Sequence, residues 1–259
     1  MADQKAIFIS GGASGIGRAA AALFAAKGWR VGIGDVDATT MATTAEALGV
    51  ETHALDVRDY DQWVAVLDAF TRGGPLHVLH NNAGIAVGGP FGEIGRAELD
   101  RVTDINFRGA LYGARAAFPH LARTPGSCLL NTASASAIWG APGLAAYSAT
   151  KFGVRGLTEA LDGEWVGAGI RVRSLMPGFI DTPLLKANIG GSNATAREKV
   201  VEAGLEFTPV EDVAQKAWDL VHDEKALHAY IGPTARRLAF AARWLPGRLR
   251  RELKARSLG

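Results

Sequence analysis

The stretch Ala6-Ile-Phe-Ile-Ser10 followed by Gly11-Gly-Ala-Ser-Gly-Ile-Gly17 constrains this chain more than any other. Its apolar, β-branched first half reads as a strand, and the Ala-rich pattern from Ile16 to Lys27 reads as a helix. Gly11, Gly15 and Gly17 lack the Cβ atoms that would hold a ligand away from the backbone. The helix start beside them offers unpaired N–H groups and a positive partial charge, so Ser14, Gly15 and Ile16 join the glycines in a cradle for an anion such as a pyrophosphate. The spacing is G-x-x-x-G-x-G, with Ala13 where the general dinucleotide fingerprint has glycine.

A strand feeding a helix in this way belongs in a parallel sheet, and the remaining pattern supplies one. Short apolar runs predict strands at Ala6–Ser10, Arg30–Gly34, Glu51–Leu55, Leu76–Asn81, Ser127–Ala133, Ile170–Met176 and Ala226–Ile231. Helical patterns lie between them at Ile16–Lys27, Thr39–Leu48, Tyr60–Thr71, Ala97–Phe118, Ala146–Val166 and Val210–His222. The expected fold is α/β, a single doubly wound Rossmann-like domain with a seven-stranded, mainly parallel sheet and helices on both faces. Residues 1–235 form the catalytic domain, with 183–208 as an insertion over the sheet edge, hinged at Gly190-Gly191 as a lid. Residues 236–259 are a separate basic, amphipathic extension.

Composition removes several classes. Cys128 is the single cysteine, so neither an intrachain disulfide framework nor a thiolate zinc site can be assembled, and no metal is expected. The start is too short and too acidic for a secretory signal, and no apolar run approaches the ~20 residues of a membrane span. A cytoplasmic protein is expected. His77 and His80, three apart on a strand, point to opposite faces and read as packing residues. No G-x-S-x-G elbow supports a hydrolase, and no G-x-x-x-x-G-K-[ST] loop supports a nucleoside triphosphatase.

At the tip of the second strand stands Asp35, eighteen residues after Gly17. A carboxylate there accepts from a ribose 2′-OH and repels a 2′-phosphate, which favours NAD over NADP as cofactor. Arg18 is the only nearby cation that could reverse the preference. Farther on, Tyr147-Ser-Ala-Thr-Lys151 sets a phenol and an ammonium on one helical face, with Ser134 thirteen residues earlier at a strand end. A cation at that distance favours phenolate and lowers a tyrosine pKa from ~10, making Tyr147 a candidate general acid/base.

With these residues in order, the sequence resembles the classical short-chain dehydrogenase/reductase family over residues 5–235. Ser10 stands where that family has Thr. Asp56-Val57 is similar to its adenine-contacting Asp, and Asn81-Asn82-Ala83-Gly84 to its motif beside the cofactor. Asn106 matches its catalytic-helix Asn, while Ser134, Tyr147 and Lys151 match its Ser, Tyr and Lys. Pro177-Gly178-Phe179-Ile180-Asp181-Thr182 resembles its Pro-Gly segment, whose Thr reaches the nicotinamide. The resemblance implies proton transfer by Tyr147, a hydrogen bond from Ser134 to the same oxygen, and a Lys151 that holds the nicotinamide ribose. It implies an Asn106 that anchors a proton-relay water, and a homotetramer or dimer. A catalytically silent redox-sensing module on the same fold is the alternative, as is an NADP-dependent ketone reductase.

The expected substrate is a small hydrophobic secondary alcohol or ketone. Ile85, Val87, Phe91, Ile138, Trp139, Leu144, Phe179, Leu184 and Leu185 crowd the segments that should wall the pocket, with Trp139, Phe179 and Leu184 singled out as contacts. From Arg236 onward the chain carries eight Lys or Arg and one Glu, while the preceding residues are net acidic. Two helical patterns meet there at Pro246-Gly247. Packing on a neighbouring subunit or over the cleft is favoured, contact with an anionic membrane surface is the alternative, and nucleic acid is not expected.

Overall fold

The computed structural model describes residues 4–186, 195–202 and 204–256. Seven strands, β1 (Ala6–Ser10), β2 (Arg30–Asp35), β3 (Glu51–Ala54), β4 (Val78–Asn81), β5 (Cys128–Thr132), β6 (Arg171–Pro177) and β7 (His228–Ile231), form one sheet in the order β3-β2-β1-β4-β5-β6-β7. Every pairing is parallel. The chain order reverses between β1 and β4, so the loops leaving their carboxyl ends diverge and open a crevice there.

The central strands β1, β4 and β5 are buried on both faces, and alternate side chains feed two cores, while the edge strands β3 and β7 are partly exposed. Ile7, Ile9, Ile33 and Leu130 pack with Phe24 of α1 (Gly15–Ala26) and Val213, as does Met41 of α2 (Ala38–Leu48). Phe8, Leu79 and Leu129 pack on the other side with Trp63, Leu67 and Phe70 of α3 (Tyr60–Thr71) and with Leu121. Asp37 and Asp59 cap α2 and α3 by accepting from Thr40 and Gln62 amides.

The long helix expected over 97–118 is interrupted. It consists of α4 (Arg96–Thr103), a π turn over Asp104–Arg108, and α5 (Gly109–Ala122). The extra residue in that turn carries Asn106, whose amide is drawn toward β4 as described below. Pro119 does not end α5: it sits in the last turn, where its missing N–H forfeits a single backbone bond.

Beyond β5 come α6 (Ala145–Glu164), a short turn of helix at Pro183–Lys186, α7 (Ala196–Glu202) and α8 (Val210–His222). The expected insertion is tied down at its end, where the Thr208 N–H donates to Phe179 O at 2.8 Å. The hinge expected at Gly190-Gly191 lies outside the described residues. The tail does form two helices, α9 (Gly232–Trp244) and α10 (Pro246–Arg256), but α9 starts four residues earlier than expected and runs through position 235. Its Ala235 and Leu238 pack with Ile138 and Met176, so the helix grows directly out of β7 as part of the body.

Candidate active site

The glycine turn has the backbone its composition demands. Gly11 and Gly15 adopt φ of 64° and 52°, and a Cβ on Gly17 would run into the Gly11 carbonyl and the Asn82 amide. Ser14 precedes α1 without a side-chain capping bond, which leaves the first-turn N–H groups for a ligand. Ser10 closes the other side: its Oγ accepts from the amides of Asn82 and Ala83 at 3.1 and 3.2 Å. The hydroxyl at position 10 therefore ties the glycine turn to the loop after β4.

Asp35 is held as an acceptor at the rim. Its Oδ1 takes the Val36 amide at 2.8 Å, and its Oδ2 takes the Ala13 amide at 3.3 Å. Farther along the same cleft, Asp56 accepts from Arg58 Nε at 2.9 and 3.0 Å, and this guanidinium holds its carboxyl below the usual range. An adenine contact by Asp56 would share a carboxylate that Arg58 already claims, with Val57 lining the wall beside it.

The reacting end is built from β5 and α6. Ser134 follows β5, and its Oγ accepts the Ser136 amide at 3.1 Å. Tyr147 and Lys151 lie one turn apart on α6, and the Tyr147 phenol hydrogen-bonds Ser134. Lys151 is 4% exposed and donates to Thr132 O at 2.8 Å, with its Nζ 5.8 Å from the Tyr147 ring centre. Burial lowers the Lys151 pKa to about 8. Burial also raises the Tyr147 phenol above its ordinary value, and the Ser134 hydrogen bond offsets only part of this. The lowering of Tyr147 expected from Lys151 is corrected: desolvation of the phenolate raises the phenol instead.

Asn106 is buried within the π turn. Its Oδ1 accepts the Ile85 amide at 2.8 Å, and its Nδ2 donates to Ile85 O at 2.9 Å and Thr150 Oγ1 at 3.3 Å. Through these bonds its side chain pins the loop after β4 against the π turn. Gly84 makes this approach possible, since a Cβ there would lie 3.3 Å from Asn106 Oδ1 and 3.4 Å from Lys151 Nζ.

One buried polar line beside the cleft escaped sequence reasoning. His80 is fully buried on β4, its Nε2 2.8 Å from Thr132 Oγ1, which in turn donates to Asn82 Oδ1 at 3.1 Å. Asn82 Nδ2 donates to Ser10 O and Gly11 O, both at 3.1 Å. Proton counting fixes the tautomer. Thr132 has one hydroxyl hydrogen and gives it to Asn82, so His80 must donate through Nε2–H, and its buried Nδ1 has no partner. Burial holds the imidazole neutral, with a pKa lowered to about 3. This line joins the glycine turn to Thr132, whose carbonyl holds Lys151. A polar pair His80/Thr132 on adjacent parallel strands was the available signal, but it requires knowing the register.

A single cleft of about 930 Å³ collects these groups. Gly11, Ser14, Gly15, Ile16, Asp35, Asp56, Val57, Asn82, Ala83 and Gly84 line one end of it; Ser134, Tyr147, Lys151, Pro177, Gly178, Ile180 and Thr182 line the other. Gly17 and Asn106 support the wall from behind. Ile85, Leu144, Phe179, Leu184 and Leu185 supply the apolar wall, joined by Pro142 and Leu205. Trp139 is a correction, for it is not among the described lining residues. After Ser134 the chain turns through a short helix at Ala135–Ala137, which sends Ile138 into the core and leaves the wall to Pro142, Gly143 and Leu144. Val87 is buried and Phe91 faces solvent, so neither lines the cleft.

The family model for short chain dehydrogenases matches residues 5–191. The chain belongs to the short-chain dehydrogenase family. As a member it is an NAD(P)-dependent oxidoreductase of alcohols and ketones. A relative, the 3-alpha-(or 20-beta)-hydroxysteroid dehydrogenase of Mycobacterium tuberculosis (strain ATCC 25618 / H37Rv), is 37% identical over 183 residues, 70% of each chain. The solved structure of levodione reductase matches this short-chain dehydrogenase with a TM-score of 0.80 and 29% identity, over 91% of this chain and 98% of that one. The 3-ketoacyl-(acyl-carrier-protein) reductase of Brucella melitensis, complexed with NADH, matches with a TM-score of 0.78 and 29% identity over 88% and 98%.

Proposed function

We propose that this protein interconverts a hydrophobic secondary alcohol and its ketone with NAD as preferred cofactor and Tyr147 as general acid/base. The observation that carries the reading is a buried Lys151 one helical turn from Tyr147, with Ser134 hydrogen-bonded to the same phenol. Gly11, Gly15 and the first turn of α1 would hold the pyrophosphate, Asp35 the adenosine ribose, and Lys151 with Thr182 the nicotinamide end. The bound nicotinamide supplies the two-electron chemistry.

Tyr147 donates its proton to the substrate oxygen during reduction and accepts it during oxidation. Ser134 donates to the same oxygen, where negative charge develops, and is preorganised by its place at the end of β5. Lys151 brings a positive charge to a buried site, favouring the phenolate when the proton has left. Asn106 and Gly84 set the loop that borders both side chains. The apolar wall of Leu144, Phe179, Leu184 and Leu205 favours an uncharged substrate, and the names of two relatives, a hydroxysteroid dehydrogenase and a levodione reductase, support cyclic ketones as the first class to screen. The reading extends to a cytoplasmic homotetramer or dimer. Among the described residues no helix is long and apolar enough to cross a membrane.

The test is a screen of hydrophobic secondary alcohols and ketones, with NAD and NADP run in parallel. Tyr147→Phe should retain cofactor binding and lose turnover by at least ~10³-fold, while full turnover by that variant sinks the assignment. Asp35→Ser should shift the preference toward NADP. A wild-type preference for NADP would overturn the role of Asp35.

A further inference from the structure

We infer that the outer face of α9, continued by α10, docks on the surface of an anionic lipid bilayer. The inference concerns a surface remote from proton transfer and does not depend on which substrate the cleft takes.

One face of α9 is apolar and packed, and the other sets aromatic rings among arginines. Ala235, Leu238, Ala239 and Ala242 pack inward against the core that holds Ala135, Ile138 and Met176. At ~100° per residue, Arg236, Arg237, Phe240, Arg243 and Trp244 fall within about 120° of arc on the opposite side. Phe240 and Trp244 are 60% and 62% exposed, and all three arginines are exposed around them. The Arg243 guanidinium lies 5.2 Å from the Trp244 ring centre, which keeps the cation beside the aromatic stripe. Leu245 extends the apolar patch at 43% exposure. In α10, Leu249 turns inward while Arg248, Arg250, Arg251 and Lys254 stay exposed.

Charge selects the occupant. No acidic residue occurs between Glu224 and Glu252, and the last 24 residues carry a net charge of +7 against −5 for the rest. A two-fold contact with a second copy presents the same patch on both sides. It would bring two arginine-rich copies of α9 together, and neither copy of that helix carries a carboxylate to offset Arg236, Arg237 and Arg243. An anionic headgroup layer removes this conflict: each arginine near such a surface is attracted by its negative potential, and the rings of Phe240 and Trp244 enter the headgroup boundary, where aromatic side chains are favoured.

The test is co-sedimentation of the full chain with vesicles of phosphatidylglycerol mixed with phosphatidylcholine, and with phosphatidylcholine alone. Binding is expected only to the anionic vesicles, and it should fall steeply when salt is raised to ~0.5 M. Phe240→Ser with Trp244→Ser should weaken binding at least ~10-fold. Arg236→Glu, Arg237→Glu and Arg243→Glu combined should abolish it. Both variants should keep the wild-type thermal midpoint, cofactor affinity and size-exclusion mass. Equal binding to neutral vesicles, or binding to neither, overturns the proposal. So does a fall in mass of the aromatic variant, which would make this face a subunit contact.

Discussion

Replacing Thr132 with valine keeps the shape of the side chain and removes one oxygen from the line that joins His80, Thr132 and Asn82. Two groups lose their partner. His80 Nε2–H is fully buried, and an unsatisfied donor there costs about 1–3 kcal/mol. Asn82 Oδ1 is half-buried and recovers part of its hydration, so its share is about 1 kcal/mol. The variant should lose about 2–4 kcal/mol of stability, read as a fall in the urea midpoint at unchanged slope. His80→Leu alone should change stability by less than about 1.5 kcal/mol, because it also removes the unpartnered Nδ1 and leaves the Thr132–Asn82 bond in place. In the double variant only Asn82 Oδ1 is left unpaired. The two changes should therefore couple by about 1–3 kcal/mol in a double-mutant cycle. A Thr132→Val loss under about 1 kcal/mol, or additivity of the pair within ~0.5 kcal/mol, refutes the proton assignment.

The same histidine sets an acid limit. Its folded pKa of about 3 lies below the unfolded 6.5, so the unfolded chain binds one more proton between those values. Stability should fall by up to ~1.4 kcal/mol per pH unit as pH drops from 6.5 toward 3, and His80→Leu should remove that share of the slope in denaturation curves. Lys151 behaves as a functional group held against its solvation: with a folded pKa of about 8 against an ordinary 10.5, its charge lowers stability below pH 8. Lys151→Met should therefore raise the unfolding free energy at pH 7 by at most ~3 kcal/mol, read from urea curves, while ending turnover, and the gain should shrink as pH rises from 8 through 10.5. Gly17→Ala should raise the apparent dissociation constant for NAD at least ~10-fold by displacing the Gly11 carbonyl and the Asn82 amide, measured by calorimetric titration.

Much of this was legible without coordinates because it is local. Apolar runs bounded by Gly28, Gly49 and Gly126 marked strands and helices to within a few residues, and Gly11, Gly15 and Gly17 announced an anion cradle through their missing Cβ atoms. The spacing of Tyr147 and Lys151 gave one helical face. What stayed hidden depended on how distant segments meet. Trp139 was expected in the pocket because its segment follows a strand, yet the turn at Ala135–Ala137 rotates that segment toward the core. The π turn at Asn106 has no signature in hydrophobic period, because its cause is a pair of bonds to Ile85 twenty-one residues away.

The sequence by itself determined the strand–helix alternation, the glycine turn and the chemical identity of the side chains proposed to react, since backbone preference and side-chain chemistry act within a few residues. Only the tertiary structure decided their proton states and neighbours. Parallel pairing of β4 with β5 brought His80 to Thr132, and the packing of α6 buried Lys151 against the Thr132 carbonyl. Docking of α9 against Met176 and Ile138 turned Phe240 and Trp244 outward. Desolvation and register are properties of the assembled interior, and no stretch of the chain read alone contains them.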